Sequence, residues 1–172
     1  MHLPFGREGC QEVTVNILTV NLLFTTLVFG IAARIYVVPR MAHVSSRAIL
    51  TPILLLHAFR NLGLMFLAPG ATYPGIPSEF TTPAAWGDFL AAVLALVALP
   101  FVLKGSALAR PLVWIFNIEG TLDLLHAIYL ATVHRAFPYM GAAYWIPAFW
   151  VPALLVTHYL VFVVLLRPWK PG

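Results

Sequence analysis

The feature that most constrains the fold is a series of five apolar stretches, each about 20 residues long. They lie near residues 13–36, 48–68, 84–103, 111–133 and 146–166. A helix of this length crosses the hydrocarbon core of a membrane with all of its backbone polar groups bonded internally. The chain is also 61% hydrophobic and only 9% charged, which is unlike soluble domains. The sequence therefore predicts an all-α integral membrane bundle of five transmembrane helices.

No soluble domain, internal repeat or low-complexity tract interrupts this pattern, so residues 1–172 are predicted to form one domain. Proline and glycine concentrate in one connection, at Pro69, Gly70, Pro74, Gly75, Pro77 and Pro83. Pro52 and Pro152 lie a few residues inside their spans, where proline removes a backbone hydrogen bond and bends a helix. We expect the Pro/Gly-rich loop to face outward as a lid and the bends to open a cavity.

Basic residues collect at alternate ends of the predicted spans. They are Arg34, Arg40 and Arg47 after the first span, Lys104 and Arg110 after the third, and Arg167 and Lys170 after the last. Cytoplasmic loops carry an excess of Lys and Arg, so the N-terminus is predicted outside and the C-terminus in the cytoplasm. This topology suits a multi-pass protein of a bacterial inner (cytoplasmic) membrane. The formal net charge of +4 does not predict nucleic-acid binding, because no solvated basic domain is present.

The N-terminus has a second interpretation, as a cleaved signal peptide. The first apolar run is too long for that, and Glu8 and Glu12 outweigh Arg7, so a retained helix is expected. Cys10 is the only cysteine, which excludes an intrachain disulfide and a cysteine-based metal site.

Six ionisable residues lie inside the apolar stretches, where a charge costs about 2.5–3.5 kcal/mol. They are His57, Arg60, Glu119, Asp123, His126 and His158. Residues of this kind face the protein interior and mark substrate, ion or proton sites. They are the candidate functional residues of the chain.

Helical spacing arranges most of them in two stripes. His57, Arg60 and Asn61 share one face of the second span, and Glu119, Asp123 and His126 share one face of the fourth. Both helices are predicted to run from inside to outside, which brings Arg60 and Asp123 to similar depths. We expect these two to form an ion pair. A buried salt bridge that only fixes the packing of the bundle is an equally good interpretation of that pair.

A second group is predicted about one turn nearer the cytoplasm. There Glu119 would meet His57, and the descending last span would bring His158 to the same level. One arginine cannot neutralise two carboxylates, and imidazoles beside a carboxyl group can exchange its proton. Glu119, Asp123, His57, His158 and His126 are therefore the predicted catalytic residues, and no metal ligand set is predicted.

Further polar residues are candidates for substrate binding around this group. Asp88, in the third predicted span, would either reach Arg60 or meet water. Asn117, in the fourth span, points roughly away from the acidic stripe. The full set is Arg60, Asn61, Asp88, Asn117, Asn21 and Thr25, with Thr14 on the same face of the first span. Such groups also serve as ordinary hydrogen bonds between membrane helices.

Three classes of function fit these residues. The first is an integral membrane enzyme, an isomerase or cyclase that transfers protons on a lipid-soluble molecule such as an isoprenoid, a sterol-like compound or a quinone. The second is a b-type haem protein, its cofactor ligated by His57 together with either His158 or His126, with Gly63 or Gly120 making room. The third is a small proton-coupled carrier or accessory subunit that gains helices by forming a homodimer. All three place the protein in a lipid bilayer.

Several segments resemble a group of small bacterial multi-span membrane proteins of uncharacterised function. They are residues 57–67 (HAFRNLGLMFL), 83–88 (PAAWGD), 114–117 (WIFN) and 152–158 (PALLVTH). The Arg-x-x-Gly helix followed by a Gly-Asp-led helix is also faintly similar to DoxX-like four-helix membrane proteins, although this chain has one predicted span more. The resemblance implies a small multi-helix membrane protein and no particular activity.

Overall fold

The computed structural model describes residues 16–169 of the chain. All regular secondary structure in this part is helical, and it contains no strand. The predictions for residues 1–15 and 170–172, including the N-terminal signal peptide question, lie outside the described residues, as do Arg7, Glu8, Cys10, Glu12, Thr14 and Lys170.

Five long helices form the architecture, with boundaries close to the predicted ones. They are α1 (Ile17–Ala32), α2 (Ser46–Ala58), α3 (Ser78–Leu103), α4 (Ala109–Val133) and α5 (Val151–Leu166). Two π-helical turns, Ala33–Val37 and Ile146–Trp150, extend α1 and precede α5. The 3₁₀ segments are Arg40–Ala42, Phe59–Leu67, Phe137–Tyr139 and Gly141–Tyr144.

Four of these helical stretches, rather than the predicted five, are long and apolar enough to cross a membrane. They are Ile17–Val37, Ser46–Leu67, Ser78–Leu103 and Gly141–Leu166. The exception is α4, which has 25 residues and is therefore long enough, but carries Glu119, Asp123 and His126. These polar side chains lower its apolar character, so composition alone supports a membrane protein with four spans.

Local chemistry explains where the helices begin. The Asn16 side chain accepts a hydrogen bond from the Leu18 N–H at 3.0 Å and caps α1. Ser45 caps α2 by accepting from the Ala48 N–H at 3.3 Å. The loop before α3 ends at Pro77, earlier than predicted.

One proline, Pro83, has a different place from the predicted one. Pro83 lies within α3, near enough to its start to cost one hydrogen bond to the first turn. Pro152 lies inside the continuous helical stretch Gly141–Leu166, as predicted, where the π-turn Ile146–Trp150 passes into α5. Pro52 does lie inside α2, as predicted.

The Phe59–Leu67 segment continues α2 as a nine-residue 3₁₀ helix. A 3₁₀ helix has three residues per turn, so residues three apart lie above one another. His57, Arg60, Gly63 and Phe66 are accordingly all buried, whereas Asn61 is exposed. The predicted α-helical stripe with Asn61 beside Arg60 is therefore wrong, because the helix type changes at Phe59.

The bundle contains two apolar cores with a polar layer between them. One core includes Leu54 of α2 and Phe116 of α4, and the other includes Phe66 and Leu124. Between these positions along the helices lie Arg60, Asp88, Asn117 and His158, all buried. The polar residues are thus confined to one level, with apolar packing above and below it.

Helix α3 packs against α2, the 3₁₀ segment and α4 through small side chains. Its buried face is mostly alanine, at positions 84, 85, 91, 92, 95 and 98. Small residues let membrane helices approach closely. Helix α1 instead lies at the edge of the bundle, where it packs mainly against α5 and the π-turn before α5.

The Pro/Gly-rich loop at residues 68–77 is fastened to the connection that follows α4. The Tyr73 N–H donates to the Tyr139 carbonyl at 2.8 Å, and the Ala143 N–H donates to the Ala71 carbonyl at 3.0 Å. The two connections therefore form one cap over the end of the bundle that holds the second core.

Candidate functional site

The site is built around Arg60, which is completely buried. Its Nε donates to Asp88 Oδ1 at 2.8 Å, and its Nη2 donates to Asp123 Oδ2 at 2.5 Å. Its Nη1 lies 3.0 Å from the Gly120 carbonyl oxygen and 3.2 Å from His158 Nε2. One guanidinium thus joins α3, α4 and α5 to the 3₁₀ segment. The predicted Arg60–Asp123 ion pair is present, and Asp88 reaches Arg60 as the sequence allowed.

Two glycines provide the space that the aspartates occupy. A β-carbon on Gly63 would collide with the Asp88 carboxylate, and one on Gly87 would collide with the Asp123 carboxylate. Both glycines therefore let a charged side chain lie directly against a neighbouring helix. A glycine next to a charged residue inside an apolar span, as in the Gly87-Asp88 pair, is the sequence signal for a position that makes room for a charged side chain.

Gly120 has the same function for the other side of the guanidinium. A β-carbon there would lie 2.6 Å from Arg60 Nη1 and 2.7 Å from His158 Cε1. Gly120 also accepts the hydrogen bond from Arg60 with its backbone oxygen. The room that this glycine leaves is filled by the arginine and the histidine of the site.

The surroundings of His158 determine where its ring carries a proton. A guanidinium can only donate, so Nε2 of His158 must accept from Arg60 and be unprotonated. The proton then sits on Nδ1, which is 2.8 Å from Asn117 Oδ1 and donates to it. Asn117 therefore orients the imidazole, and its own Nδ2 is buried without a hydrogen-bond partner.

His57 lies beside His158, with ring centroids 4.3 Å apart. Its Nε2 is 2.9 Å from Thr157 Oγ1, whose hydroxyl hydrogen is within reach of the Ala153 carbonyl at 2.9 Å. If the hydroxyl donates to that carbonyl, His57 donates from Nε2 and keeps a free lone pair on Nδ1. Nδ1 is buried and has no hydrogen-bond partner. Thr157 was not among the predicted residues.

Glu119 and Asp123 lie at the edge of this cluster. Glu119 is half-buried, and its Oε2 is enclosed without a hydrogen-bond partner. Among the described residues it makes no hydrogen bond to His57 or His158, although it interacts electrostatically with Arg60 and Asp88. The structure thus brings the two predicted imidazoles together but leaves Glu119 apart from them. The side chain of Asp123 is 10% exposed.

The remaining predicted residues lie outside the cluster. His126 and Asn61 are exposed. Asn21 of α1 donates to the Tyr144 hydroxyl at 3.0 Å, and Thr25 is half-buried on the same helix. Since α1 packs at the edge of the bundle, its polar residues do not join the Arg60 cluster.

Comparison with known sequences identifies one family. The profile of the domain of unknown function DUF8737 matches residues 17–166, from the start of α1 to the end of α5. The chain belongs to this family. No curated protein and no solved structure matches the sequence, and no similarity to DoxX-like proteins is shown. The whole Arg60 cluster lies within the matched DUF8737 domain.

The residues of this DUF8737 domain do not fit the haem hypothesis. Both ring nitrogens of His158 are already bonded, to Arg60 and Asn117. The rings of His57 and His158 are in contact, so no iron and macrocycle fit between them. His126 is exposed, away from the pair. Residues 16–169 also contain no group of three or more His, Cys, Asp or Glu that could hold a metal ion.

The charge balance of the cluster is uneven. Three carboxyl groups, those of Asp88, Glu119 and Asp123, interact with a single guanidinium. Asp88 and Asp123 form ion pairs with it, whereas Glu119 has none. Excess acid in a low dielectric favours the neutral form of a carboxyl group. The cluster therefore carries more carboxyl groups than cations.

A cavity of about 40 Å³ touches the cluster at Asp88. Its other walls are apolar and come from the second core, including Phe66, Leu124 and Met140. It is too small for an organic substrate. The carboxyl groups of Glu119 and Asp123 lie instead on a partly exposed flank of α4.

Proposed function

We propose that the protein is an integral membrane enzyme that transfers protons to and from a lipid-soluble molecule, as in double-bond isomerisation or cyclisation. Glu119 and Asp123 would be the proton-exchanging groups. The substrate class would be a lipid such as an isoprenoid, a sterol-like compound or a quinone, which reaches the flank of α4 from the bilayer.

The observation that carries this proposal is the uncompensated Glu119. A half-buried carboxyl group without a hydrogen-bond or ion-pair partner is costly unless it holds a proton. It stands one helical turn from Asp123, which is fixed by Arg60 at 2.5 Å. A protonated acid next to an ionised one supplies the acid and the base that a proton shift on carbon requires.

The buried groups would act as a frame for this pair. Arg60 forms ion pairs with Asp123 and Asp88, and His158 accepts a further hydrogen bond from the same guanidinium. Asn117 keeps His158 in the tautomer that can accept. These residues are positioning residues, because the structure encloses them away from the flank where a substrate would arrive.

The proposal also includes a fifth membrane crossing. Helix α4 packs against α3 and α5, with Asn117, Gly120 and Leu124 on its buried side. A helix whose polar groups face partners inside a bundle can cross a membrane despite its charges. With α4 as a span, the positive-inside rule gives an outside N-terminus and a cytoplasmic C-terminus in the inner membrane.

Incubation in heavy water tests the activity even while the substrate is unidentified. The purified protein in lipid nanodiscs is mixed with isoprenoid, sterol and quinone extracts in D₂O, and each lipid is examined by mass spectrometry. A proton shift on carbon incorporates deuterium into the product. We expect incorporation with the wild-type chain, and at least a hundredfold less with Glu119→Gln or Asp123→Asn, a typical loss for acid–base groups.

Glu79→Gln is the matched control, because Glu79 is an exposed carboxyl group at the start of α3. It should leave deuterium incorporation unchanged. The enzyme proposal fails if no lipid gains deuterium above empty nanodiscs. It also fails if both substitutions at the acidic pair leave incorporation at the wild-type level.

One observation supports a proton-coupled carrier as a second candidate. Glu119, Asp123 and His126 follow one flank of α4 and lead from the buried cluster to an exposed imidazole. Such a column suits movement of a proton along the helix. Proteoliposomes with an internal pH dye measure it: the carrier proposal expects a proton flux that Asp123→Asn and Glu119→Gln each reduce. An equal flux in these variants and the wild type would contradict coupling through α4.

A further inference from the structure

A large apolar cavity has no lining residue in common with the Arg60 cluster. It has a volume of about 800 Å³ and is formed between α1 and α5. Its walls include Leu23, Leu27, Ile31, Leu155 and Tyr159. This size is typical of cavities that bind small organic ligands. Gly30 widens it, because nothing lies within 4 Å of the position that a β-carbon would take.

Arg34 lies at one end of this cavity and is the only charged residue among the described residues that line it. It belongs to the π-turn Ala33–Val37, where an extra residue enters the helical turn and directs both Arg34 and Ile35 toward the cavity. Among the described residues, Arg34 makes no hydrogen bond or ion pair. π-turns of this kind are frequent at functional sites.

Within residues 16–169, the connections at this end of the bundle carry basic residues and no acidic side chain. After position 12 the acidic residues are Glu79, Asp88, Glu119 and Asp123, none of them in the connections that carry Arg34, Arg40, Arg47, Lys104 and Arg110. A cationic end next to a long apolar cavity is complementary to an anionic headgroup with an attached chain. Basic pockets between membrane helices bind anionic phospholipids in this way.

We propose that the cavity between α1 and α5 binds one anionic phospholipid, with its phosphate at Arg34 and an acyl chain along the walls. From Leu23 to Val38 the cavity follows about 22 Å of helix. That exceeds one leaflet's share of the roughly 30 Å hydrocarbon core, so a full acyl chain fits lengthwise. The lipid would fill the space that leaves α1 loosely packed on the bundle. This site is separate from the proposed acid–base site.

Native mass spectrometry of the full-length protein in detergent tests the proposal. The probes are phosphatidylglycerol and phosphatidylcholine with identical acyl chains, added in equal amounts. We expect the wild-type chain to retain phosphatidylglycerol about fivefold more than phosphatidylcholine, the effect of one basic residue near an anionic lipid. Arg34→Gln should abolish this preference while both lipids still bind.

Two further variants separate the site from general lipid attraction. Arg47→Gln removes an exposed arginine that is on the same predicted side of the membrane but does not line the cavity. This variant should keep the preference for phosphatidylglycerol. Gly30→Leu places a side chain in the cavity and should lower retention of both lipids, with circular dichroism confirming an unchanged helical content. Equal retention of the two lipids by the wild type overturns the proposal. Equal losses from Arg34→Gln and Arg47→Gln, or undiminished retention by Gly30→Leu, overturn it as well.

Discussion

At the scale of single residues, Arg60 organises the polar layer because its guanidinium offers five N–H donors in a fixed planar fork. Four acceptors from three different helices surround it, two of them carboxylate oxygens. A lysine has three donors on one nitrogen and could not reach all four. The identity of this residue therefore follows from the number and direction of its partners.

Replacement of Arg60 should be among the most damaging changes in the chain. Arg60→Gln leaves Asp88 and Asp123 buried without a cation, which costs about 3–5 kcal/mol for a buried ion pair. Reversible unfolding in mixed micelles measures this free energy. Arg47→Gln is the control and should change stability by less than about 0.5 kcal/mol, because Arg47 is exposed. Equal stability of Arg60→Gln and the wild type would contradict the central role of the guanidinium.

Helical depth alone was enough to predict the Arg60–Asp123 pair, because both residues lie near the middle of helices that run in the same predicted direction. The contact between Asp88 and Arg60 was only one of two options, since depth places Asp88 nearer the outer edge. The hydrogen bonds of His158 and Asn117 could not be predicted. They depend on ring rotation and on the distance between α4 and α5, which no spacing in the sequence encodes.

At the scale of secondary structure elements, the helices meet where glycine replaces a larger side chain. Gly63, Gly87 and Gly120 lie on three different elements, and each faces a polar side chain of the cluster. In a membrane, close approach of helices through small residues takes the place of the hydrophobic effect as a source of packing. The helix backbones therefore approach closely around the polar layer, and the space between them is not widened into a cavity.

A pair of glycine substitutions, one in α4 and one in α1, tests this arrangement. Gly120→Ala puts a methyl group 2.6 Å from Arg60 Nη1, so we expect a loss of about 1–3 kcal/mol from overpacking. Gly30→Ala meets open space and should be neutral or stabilising, because alanine is the better helix former. Thermal unfolding in one detergent compares the two variants. A Gly120→Ala chain as stable as Gly30→Ala would show that the packing around Gly120 is loose.

Periodicity predicted the helices well, because long apolar runs have few alternatives in a membrane. It failed where the helix type changes. The 3₁₀ segment Phe59–Leu67 has no composition signal of its own, and its three-residue period moved Asn61 out of the predicted stripe. The π-turns before α5 and after α1 likewise depend on tertiary packing that a local pattern does not contain.

At the scale of the whole molecule, α4 determines how the chain lies in a membrane. Its polar residues make α4 less apolar than the four helical stretches that are apolar enough to cross a membrane. It nevertheless contributes Asp123, Asn117 and Gly120 to the centre of the bundle. If its polar side faces partners within the bundle, its cost of insertion is reduced. A crossing by α4 then places the connections before and after it on opposite sides.

Labelling of introduced cysteines decides whether α4 crosses. In a Cys10→Ser background, Ala107→Cys lies in the exposed turn before α4, and Ala142→Cys lies in the exposed connection after it. Since the cationic end is predicted to be cytoplasmic, we expect a membrane-impermeant thiol reagent to label position 142 in intact right-side-out vesicles and position 107 only after permeabilisation. Labelling of both positions from the same side would mean that α4 does not span. Labelling of position 107 in intact vesicles, and of position 142 only after permeabilisation, would mean that α4 crosses in the reverse orientation. Each thiol reports the side on which its own connection lies.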